Sequence, residues 1–547
     1  MLSSLLKQNR KVLMLAVLAG LISGSCAVLL LTQINKGLTS PEVTSQIIWS
    51  FGLLAVAATI TRMLASVLFE SLVHSSLASV RKYVSGKVLN TGYQQIEQIG
   101  SARIQSALTD HSNNVAQFFI AVPLIATNGV IVLGCLVYMA YLSLTVFLMA
   151  LCALGLGGLS YHLAHLRSIR FLETASKEQD GLFRGFRSLV AGAKELKLNA
   201  TRRDHFYNGE LLKSIDEVKK QRTKGMSIFV LASSWGSFLI YAFIGLVLFV
   251  LIGDVPNRTE VMTGYALVFV FMITPLEMVL INLPKANLAK VSANKIDEIT
   301  ESLQEEPQVA GGIDNTQVKT VEICDISHSY YHEVSDDMFT LGPVSLSFKP
   351  GQISFLVGGN GSGKTTLAKL IAGLYVPEAG HIELNGKTVQ SNGFDEYRQV
   401  FSSVFSDFHL FENLLDIPSS DQDERGNQLL EKLHLAHKVR VENGVFSTRS
   451  LSQGQRKRLA LVSVYLEQRP FLIFDEWAAD QDPVFKQVFY CEVLPELRAA
   501  GKTVLVISHD DRYFDQADQL IRIEDGKIQS VNIQNLQSQN NQQLKAV

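Results

Sequence analysis

Gly358-Gly359-Asn360-Gly361-Ser362-Gly363-Lys364-Thr365 fits the pattern G-x-x-x-x-G-K-[ST], a glycine-rich loop whose backbone N–H groups close around phosphate oxygens. The apolar run Ile353-Ser354-Phe355-Leu356-Val357 before it reads as a buried strand, and Thr366-Leu367-Ala368-Lys369-Leu370-Ile371 after it reads as a helix. Strand, loop and helix in that order are the setting the motif needs, because the helix N-terminus adds positive partial charge where a phosphate would sit. Lys364 is expected to reach the β- and γ-phosphates of a nucleotide, and Thr365 to offer its hydroxyl to Mg²⁺.

Two further apolar strands end in side chains suited to that chemistry. Phe471-Leu472-Ile473-Phe474 runs into Asp475 and Glu476. Asp475 fits a carboxylate serving Mg²⁺, and Glu476 a general base that polarises an attacking water. Thr503-Val504-Leu505-Val506-Ile507-Ser508 delivers His509 in the same way, where a neutral imidazole can hydrogen-bond a γ-phosphate and hold the water. Leu451-Ser452-Gln453-Gly454-Gln455 opens a helical run over 456–466, so Ser452, the backbone N–H groups and the helix dipole make a second anion site. The strand-like run 321–330 ends in aromatics. Tyr330 is placed to stack on an adenine ring, with Tyr331 as the neighbouring alternative.

The 547 residues are too many for one ordinary domain. Net charge is −2, with no basic surplus to suggest a nucleic-acid partner. Mean hydropathy is +0.18 with 18% charged residues, which is unusually apolar. The five cysteines form no C-x-x-C pair, so their spacing indicates neither a zinc site nor a disulfide framework.

The apolarity is concentrated in the first half. Runs at about 12–33, 47–69, 115–139, 143–163, 226–252 and 261–283 each approach the ~20 residues that a membrane-spanning helix needs. Residues 111–166 contain no Asp, Glu, Lys or Arg, enough chain to cross, turn near Ala140-Tyr141-Leu142-Ser143 and return. Basic residues crowd the segment from Arg167 to Lys224 and recur at Arg81, Lys82, Lys87 and Arg103, whereas 34–46 and 253–260 carry only Lys36 and Arg258. The positive-inside rule then places both termini in the cytoplasm. The two inner loops are helical in pattern, with contact points for the nucleotide domain expected around 96–105 and 192–203. Arg62 and Glu277 lie inside apolar runs, where ionisable groups face a cavity or a partner.

After Pro284 the chain turns polar, and from Gln317 β-rich and helical runs alternate as in an α/β layer fold. The expected organisation is a membrane domain over 1–290, a connector over 291–316, a nucleotide-binding domain over 317–529 and a Gln/Asn-rich polar tail over 530–547. The fold class is a six-span α-helical membrane bundle joined to an α/β P-loop domain.

Taken together, these residues make the chain resemble an ABC exporter half-transporter along nearly its full length. Residues 358–365 match the Walker A motif, 451–455 the LSGGQ signature with Gln453 in place of its first glycine, and 471–475 Walker B. Glu476 matches the catalytic glutamate, Asp482 the D-loop aspartate, His509 the switch histidine and Tyr330 the A-loop aromatic. The resemblance implies an ATPase that binds ATP through Tyr330, Gly358, Gly359, Asn360, Gly361, Ser362, Gly363, Lys364, Thr365 and Thr366. It implies that Lys364, Glu476 and His509 carry the chemistry and that Thr365 and Asp475 serve Mg²⁺. It also implies a homodimer, because in that family each ATP sits between one chain's P-loop and the other's Ser452, Gly454 and Gln455, with Asp482 beside it. The family's Q-loop glutamine is replaced by Ser406, whose shorter hydroxyl reaches less far toward a metal, leaving Asp407 or a water to substitute. The lines Tyr397-Arg398-x-x-Phe401-Ser402-x-Val404-Phe405 and Asp475-Glu476-Trp477-Ala478-Ala479-Asp480-Gln481-Asp482-Pro483 resemble the bacterial cyclic-peptide exporter group. Its members move lasso-peptide microcins, peptide siderophore precursors such as that of pyoverdine, and syringomycin-type lipopeptides. That implies export of a peptide or siderophore-like substrate through the bacterial inner membrane. A lipid or lipid-linked-saccharide flippase has the same architecture and is the alternative.

Overall fold

The computed structural model describes residues 2–40, 44–246, 249, 258–307, 318–332, 337–414 and 420–531. The tail expected over 530–547 and the connector over 291–316 lie partly outside them. The chain divides into two compact units: Met1–Tyr83 with Ser106–Glu298, and Val84–Gln105 with Ile299–Val547.

Among the described residues six helices are long and apolar enough to cross a membrane: Arg10–Thr39, Ser45–Leu89, Ser101–Leu142, Leu144–Phe171, Ala200–Leu246 and Arg258–Ser302. Each carries one of the six apolar runs, although the run at 143–163 begins one residue ahead of its helix and that at 226–252 ends outside the described residues. The expected turn between the third and fourth is a single extended residue, Ser143. The Tyr265 hydroxyl sits 2.8 Å from the Met139 carbonyl and 2.9 Å from that of Ser143, supplying a donor where the helix has ended. The sixth helix runs unbroken through Pro275 and Pro284, so the sixth span and the start of the expected connector form one helix although the composition changes there.

Lipid removes the hydrophobic drive between helices, and close backbone approach replaces it. A Cβ on Gly20 would collide with Thr127 Oγ1. One on Gly24 would stand 3.1 Å from the Thr127 carbonyl, and one on Gly134 would stand 2.9 Å from Val28. The first helix therefore packs on Ser112–Leu142 through facing glycines. Near the same helix's far end, buried Asn35 donates to Tyr138 at 2.9 Å and to the Glu260 carbonyl at 3.2 Å, and it accepts from Thr263 at 2.7 Å. Arg62 is exposed on this unit and Glu277 half-buried, and among the described residues neither makes an ion pair.

The second unit is built on two sheets. A four-stranded antiparallel sheet has the order β2-β1-β4-β5, from β1 (Val321–His332), β2 (Asp337–Phe348), β4 (Ala379–Leu384) and β5 (Lys387–Thr388). A six-stranded sheet has the order β12-β11-β3-β10-β9-β6, from β3 (Ile353–Gly358), β6 (Phe401–Val404), β9 (Phe471–Asp475), β10 (Thr503–Ile507), β11 (Gln519–Glu524) and β12 (Lys527–Val531). Between β6 and β9 lies a short hairpin, β7 (Val441–Glu442) with β8 (Val445–Phe446). In the larger sheet β11, β3, β10, β9 and β6 are mutually parallel. β9 and β10 are buried throughout and β3 up to Val357, as parallel strands covered on both faces must be.

Val84–Gln105 adds a short helix, Tyr93–Ile99, between Gly92 and Gly100, the latter at φ 85°. Glu97 on it receives Lys369 Nζ at 3.0 Å and the Tyr375 hydroxyl, and Tyr93 stacks on Tyr375 with centroids 6.4 Å apart. Lys369 belongs to the helix Lys364–Ile371 that follows the phosphate loop. The contact expected around 96–105 is thus centred slightly earlier, on Tyr93 and Glu97. Residues 192–203 lie in the first unit as Ala193–Leu198 and Ala200–Asp204.

Gly24→Leu should force the first and third spans apart and cost about 1–3 kcal/mol of overpacking. It should lower the thermal midpoint of the detergent-solubilised protein. Gly37→Ala, where nothing lies within 4 Å of a Cβ, should leave that midpoint unchanged or raise it.

Candidate functional site

Four adjacent parallel strands, β3, β10, β9 and β6, present their C-terminal ends along one edge. Ligands of open α/β sheets bind at such an edge. From β3 the chain enters the glycine loop. Gly361 and Gly363 take φ of 80° and 96°, which side chains rarely adopt. A Cβ on Gly358 would collide with the Ile523 carbonyl of β11. These constraints, together with β3's burial, fix the loop as a strand-to-helix turn.

Lys364 is only 7% exposed and folds back over the loop, donating to the Gly358 carbonyl at 3.0 Å and to that of Gly359 at 2.8 Å. Burial lowers its proton affinity, and the nearby Glu476 and Asp475 charges oppose that. The Thr365 hydroxyl donates to Asp475 Oδ2 at 3.0 Å, tying the loop's helix to the end of β9. Asp475 is 1% exposed, and its other oxygen, Oδ1, is buried with no hydrogen-bond partner. Burial raises the Asp475 carboxyl above its ordinary range. The Thr365 hydroxyl counters that, Glu476 adds to it, and the backbone and side chain of Ser406 pull it back down. Ser406, at the end of β6, thus addresses Asp475, although it leaves Oδ1 without a formed bond. Ser362 Oγ is likewise buried and unpartnered inside the loop. Buried polar atoms left unpaired in this way mark where a bound group completes the site. A free carboxylate oxygen beside a threonine hydroxyl suits a hard cation such as Mg²⁺.

β9 and β10 place Asp475 level with Ile507, so the residues after each strand emerge side by side. Glu476 turns out with φ 49°, its N–H on the Ile507 carbonyl at 3.1 Å. Its Oε1 lies 3.4 Å from His509 Nε2. Both side chains are partly open to solvent. Tyr330 pairs with Phe339 across β1 and β2, ring centroids 5.3 Å apart, and Phe339 and Leu341 pack where a Cβ on Gly363 would stand. The aromatic is therefore linked to the loop through one layer of side chains. The side chain of Tyr331 lies outside the described residues.

Ser452 caps the helix Gln453–Glu467 in a reciprocal box with Gln455. Gln453 reaches Asp480 Oδ2 at 3.3 Å, and a Cβ on Gly454 would stand 2.9 Å from the Asp480 carbonyl. Asp482 accepts from the Val484 and Phe485 amides and caps its own helix, Pro483–Val488. Among the described residues no hydrogen bond or ion pair joins Ser452, Gly454 or Gln455 to the loop 358–365.

Sequence reading missed one element of this edge. Lys457, buried within the helix that Ser452 caps, donates to the Glu476 carbonyl at 2.9 Å and pairs with Asp480 at 2.7 Å. The Trp477 indole donates to the Lys457 carbonyl at 2.8 Å and stacks on Phe489. The neighbours of Lys457, Arg456 and Arg458, are also basic, so the run carries no signal that singles it out.

The ABC transporter family model matches residues 341–479. ATP-binding protein SyrD of Pseudomonas syringae pv. syringae is 33% identical over 530 residues, covering 94% of this chain and 93% of that protein. The nisin transport ATP-binding protein NisT of Lactococcus lactis subsp. lactis is 29% identical over 43% of this chain and 42% of its own length. An ATP-dependent lipid A-core flippase of Vibrio vulnificus is 32% identical over 38% of this chain and 37% of its own length. A solved bacterial Atm1-family ABC exporter with ATP bound superposes with a TM-score of 0.75 at 14% identity, covering 98% of this chain and 96% of that one, which shows a shared fold. With one relative matching through both halves and the ATP site assembled at the strand ends, the chain belongs to the ABC transporter family, as an exporter half-transporter that joins six membrane helices to one ATP-hydrolysing domain.

Proposed function

We propose that two copies of this chain form a homodimeric exporter of the bacterial inner membrane, with both termini cytoplasmic, that moves a cyclic, lasso or siderophore-type peptide outward. The observation that carries the ATP-driven step is the convergence of Lys364, Thr365, Asp475, Glu476 and His509 on adjacent strand ends. Glycines 358, 359, 361 and 363, with Asn360, Ser362 and Thr366, cradle the phosphates. Lys364 leaves its two carbonyls to meet the β- and γ-phosphates, and Tyr330 carries the adenine. Glu476 accepts the proton of the attacking water while His509 holds water and γ-phosphate in line. Thr365 and Asp475 would hold Mg²⁺, which when bound neutralises phosphate charge. Ser406 supports Asp475, where the family's longer glutamine would contact the ion itself.

Among the described residues no hydrogen bond joins Ser452, Gly454 or Gln455 to their own chain's loop, which supports a second copy as the closer of the ATP site, with Asp482 at that seam. The domain division is taken as 1–290, 291–316, 317–529 and 530–547. The peptide reading draws support from the nisin-transport relative and from the Tyr397 and Asp475 lines. The flippase relative favours lipid or lipid-linked saccharide as the second reading. Both of those matches cover well under half of this chain, whereas cargo choice rests on the membrane helices. ATPase stimulation in nanodiscs by cyclic, lasso or siderophore-type peptides, and not by lipid-linked saccharide, is expected. Stimulation by the saccharide alone would reverse the assignment.

Three outcomes test the roles. Glu476→Gln should slow ATP hydrolysis by roughly 10²–10⁴-fold while nucleotide still binds, as measured by turnover and by retention of labelled ATP. Lys364→Ala should abolish both ATP-driven turnover and peptide uptake into inverted vesicles. Ser406→Ala removes the hydroxyl that helps lower the Asp475 pKa, keeping only the backbone group, so the carboxylate protonates at higher pH. The acidic limb of the ATPase pH profile should move toward neutrality at limiting Mg²⁺, and Ser406→Gln should move it back.

A further inference from the structure

β1 and β4 run antiparallel with Cys324 opposite His381 and Glu322 opposite Glu383. Side chains two apart on a strand share a face, so these four stand as a two-by-two array on one side of the ladder. The other side carries Val321, Ile323 and Ile382, all buried in the core. The thiol, imidazole and carboxylate donor atoms of Cys324, His381 and Glu383 all lie within 4.8 Å of one another, and His381 Nε2 is 3.1 Å from Glu383 Oε1.

Strand propensity does not account for this array. Carboxylates directly opposite one another destabilise a ladder. A divalent cation would relieve that repulsion, because it neutralises the facing acids and takes a thiolate and an imidazole as ligands. One soft thiolate, one imidazole and oxygen donors suit zinc better than magnesium or calcium. Tetrahedral zinc ligands, with bonds of about 2.0–2.3 Å, stand roughly 3.3–3.8 Å apart. Side-chain rotation on the paired strands would have to draw Cys324, His381 and Glu383 in from within 4.8 Å, and Glu322, which the register alone brings to this face, in beside them. The spacing of cysteines along the chain gives no sign of the site, since its donors come from two strands and include only one cysteine.

We propose that Cys324, His381 and Glu383, with Glu322 as the fourth ligand, bind a zinc ion that staples β1 to β4. On binding, the S–H bond breaks, the S–Zn bond forms and the proton passes to solvent, with no change of oxidation state. The staple lies on the strand that carries Tyr330 six residues further on.

The test is Co²⁺ titration of the full-length, tag-free protein in detergent. The expected result is a thiolate-to-cobalt charge-transfer band saturating at one ion per chain and bleached by Zn²⁺. Cys324→Ser should abolish the band, and His381→Ala should weaken Co²⁺ binding at least roughly tenfold. A variant keeping Cys324 but lacking Cys26, Cys135, Cys152 and Cys491 should retain it. Unchanged MgATP binding shows that each variant is folded. Absence of the band in the wild-type protein, its persistence in Cys324→Ser, or unaltered affinity in His381→Ala would overturn the site.

Discussion

A carboxylate is almost wholly removed from water at the end of β9, and the nucleotide domain is arranged around that cost. Isolated buried charge is expensive, and a group left in that position takes up a proton unless something compensates it. Here compensation comes from two directions, Thr365 from the loop's helix and Ser406 just past β6, while the other oxygen stays buried and unpaired. The sheet order makes this possible by bringing β3, β10, β9 and β6 together with their ends level, so short side chains suffice to span the gaps. Lys364 holds the opposite sign in the same pocket and is parked on carbonyls of its own loop.

Features with a local cause were legible in the sequence. The loop glycines follow from backbone conformations that only glycine takes cheaply, and the Asp475, Glu476 and His509 positions follow from apolar runs that stop where chemistry begins. Six helices could be counted because a bilayer sets a length scale. What stayed hidden was long-range. Ser406 looks like a plain loss until β6 and β9 are paired. Gln453 looks like a damaged motif until its amide is seen on Asp480. Lys457 lies on a helix whose pattern gives no warning that the Glu476 backbone is its partner. The grip of Glu97 on Lys369 joins positions far apart in the chain, with no periodicity to connect them.

The membrane half follows different rules. Its first and third spans meet over glycines, and a small polar cluster around Asn35 fastens the first span to the third and sixth. Both devices work without the hydrophobic effect, which is absent between helices in lipid.

The helix that follows the glycine loop is short. Lys364 and Lys369 are five residues apart on it, about 7.5 Å at 1.5 Å per residue. One end touches the nucleotide loop, and the other is clamped by a carboxylate from the stub that continues the second membrane helix. Little more than one helical turn separates the two, so a displacement of the loop end would be handed on to the Glu97 clamp by a single short run of backbone hydrogen bonds, as through a lever.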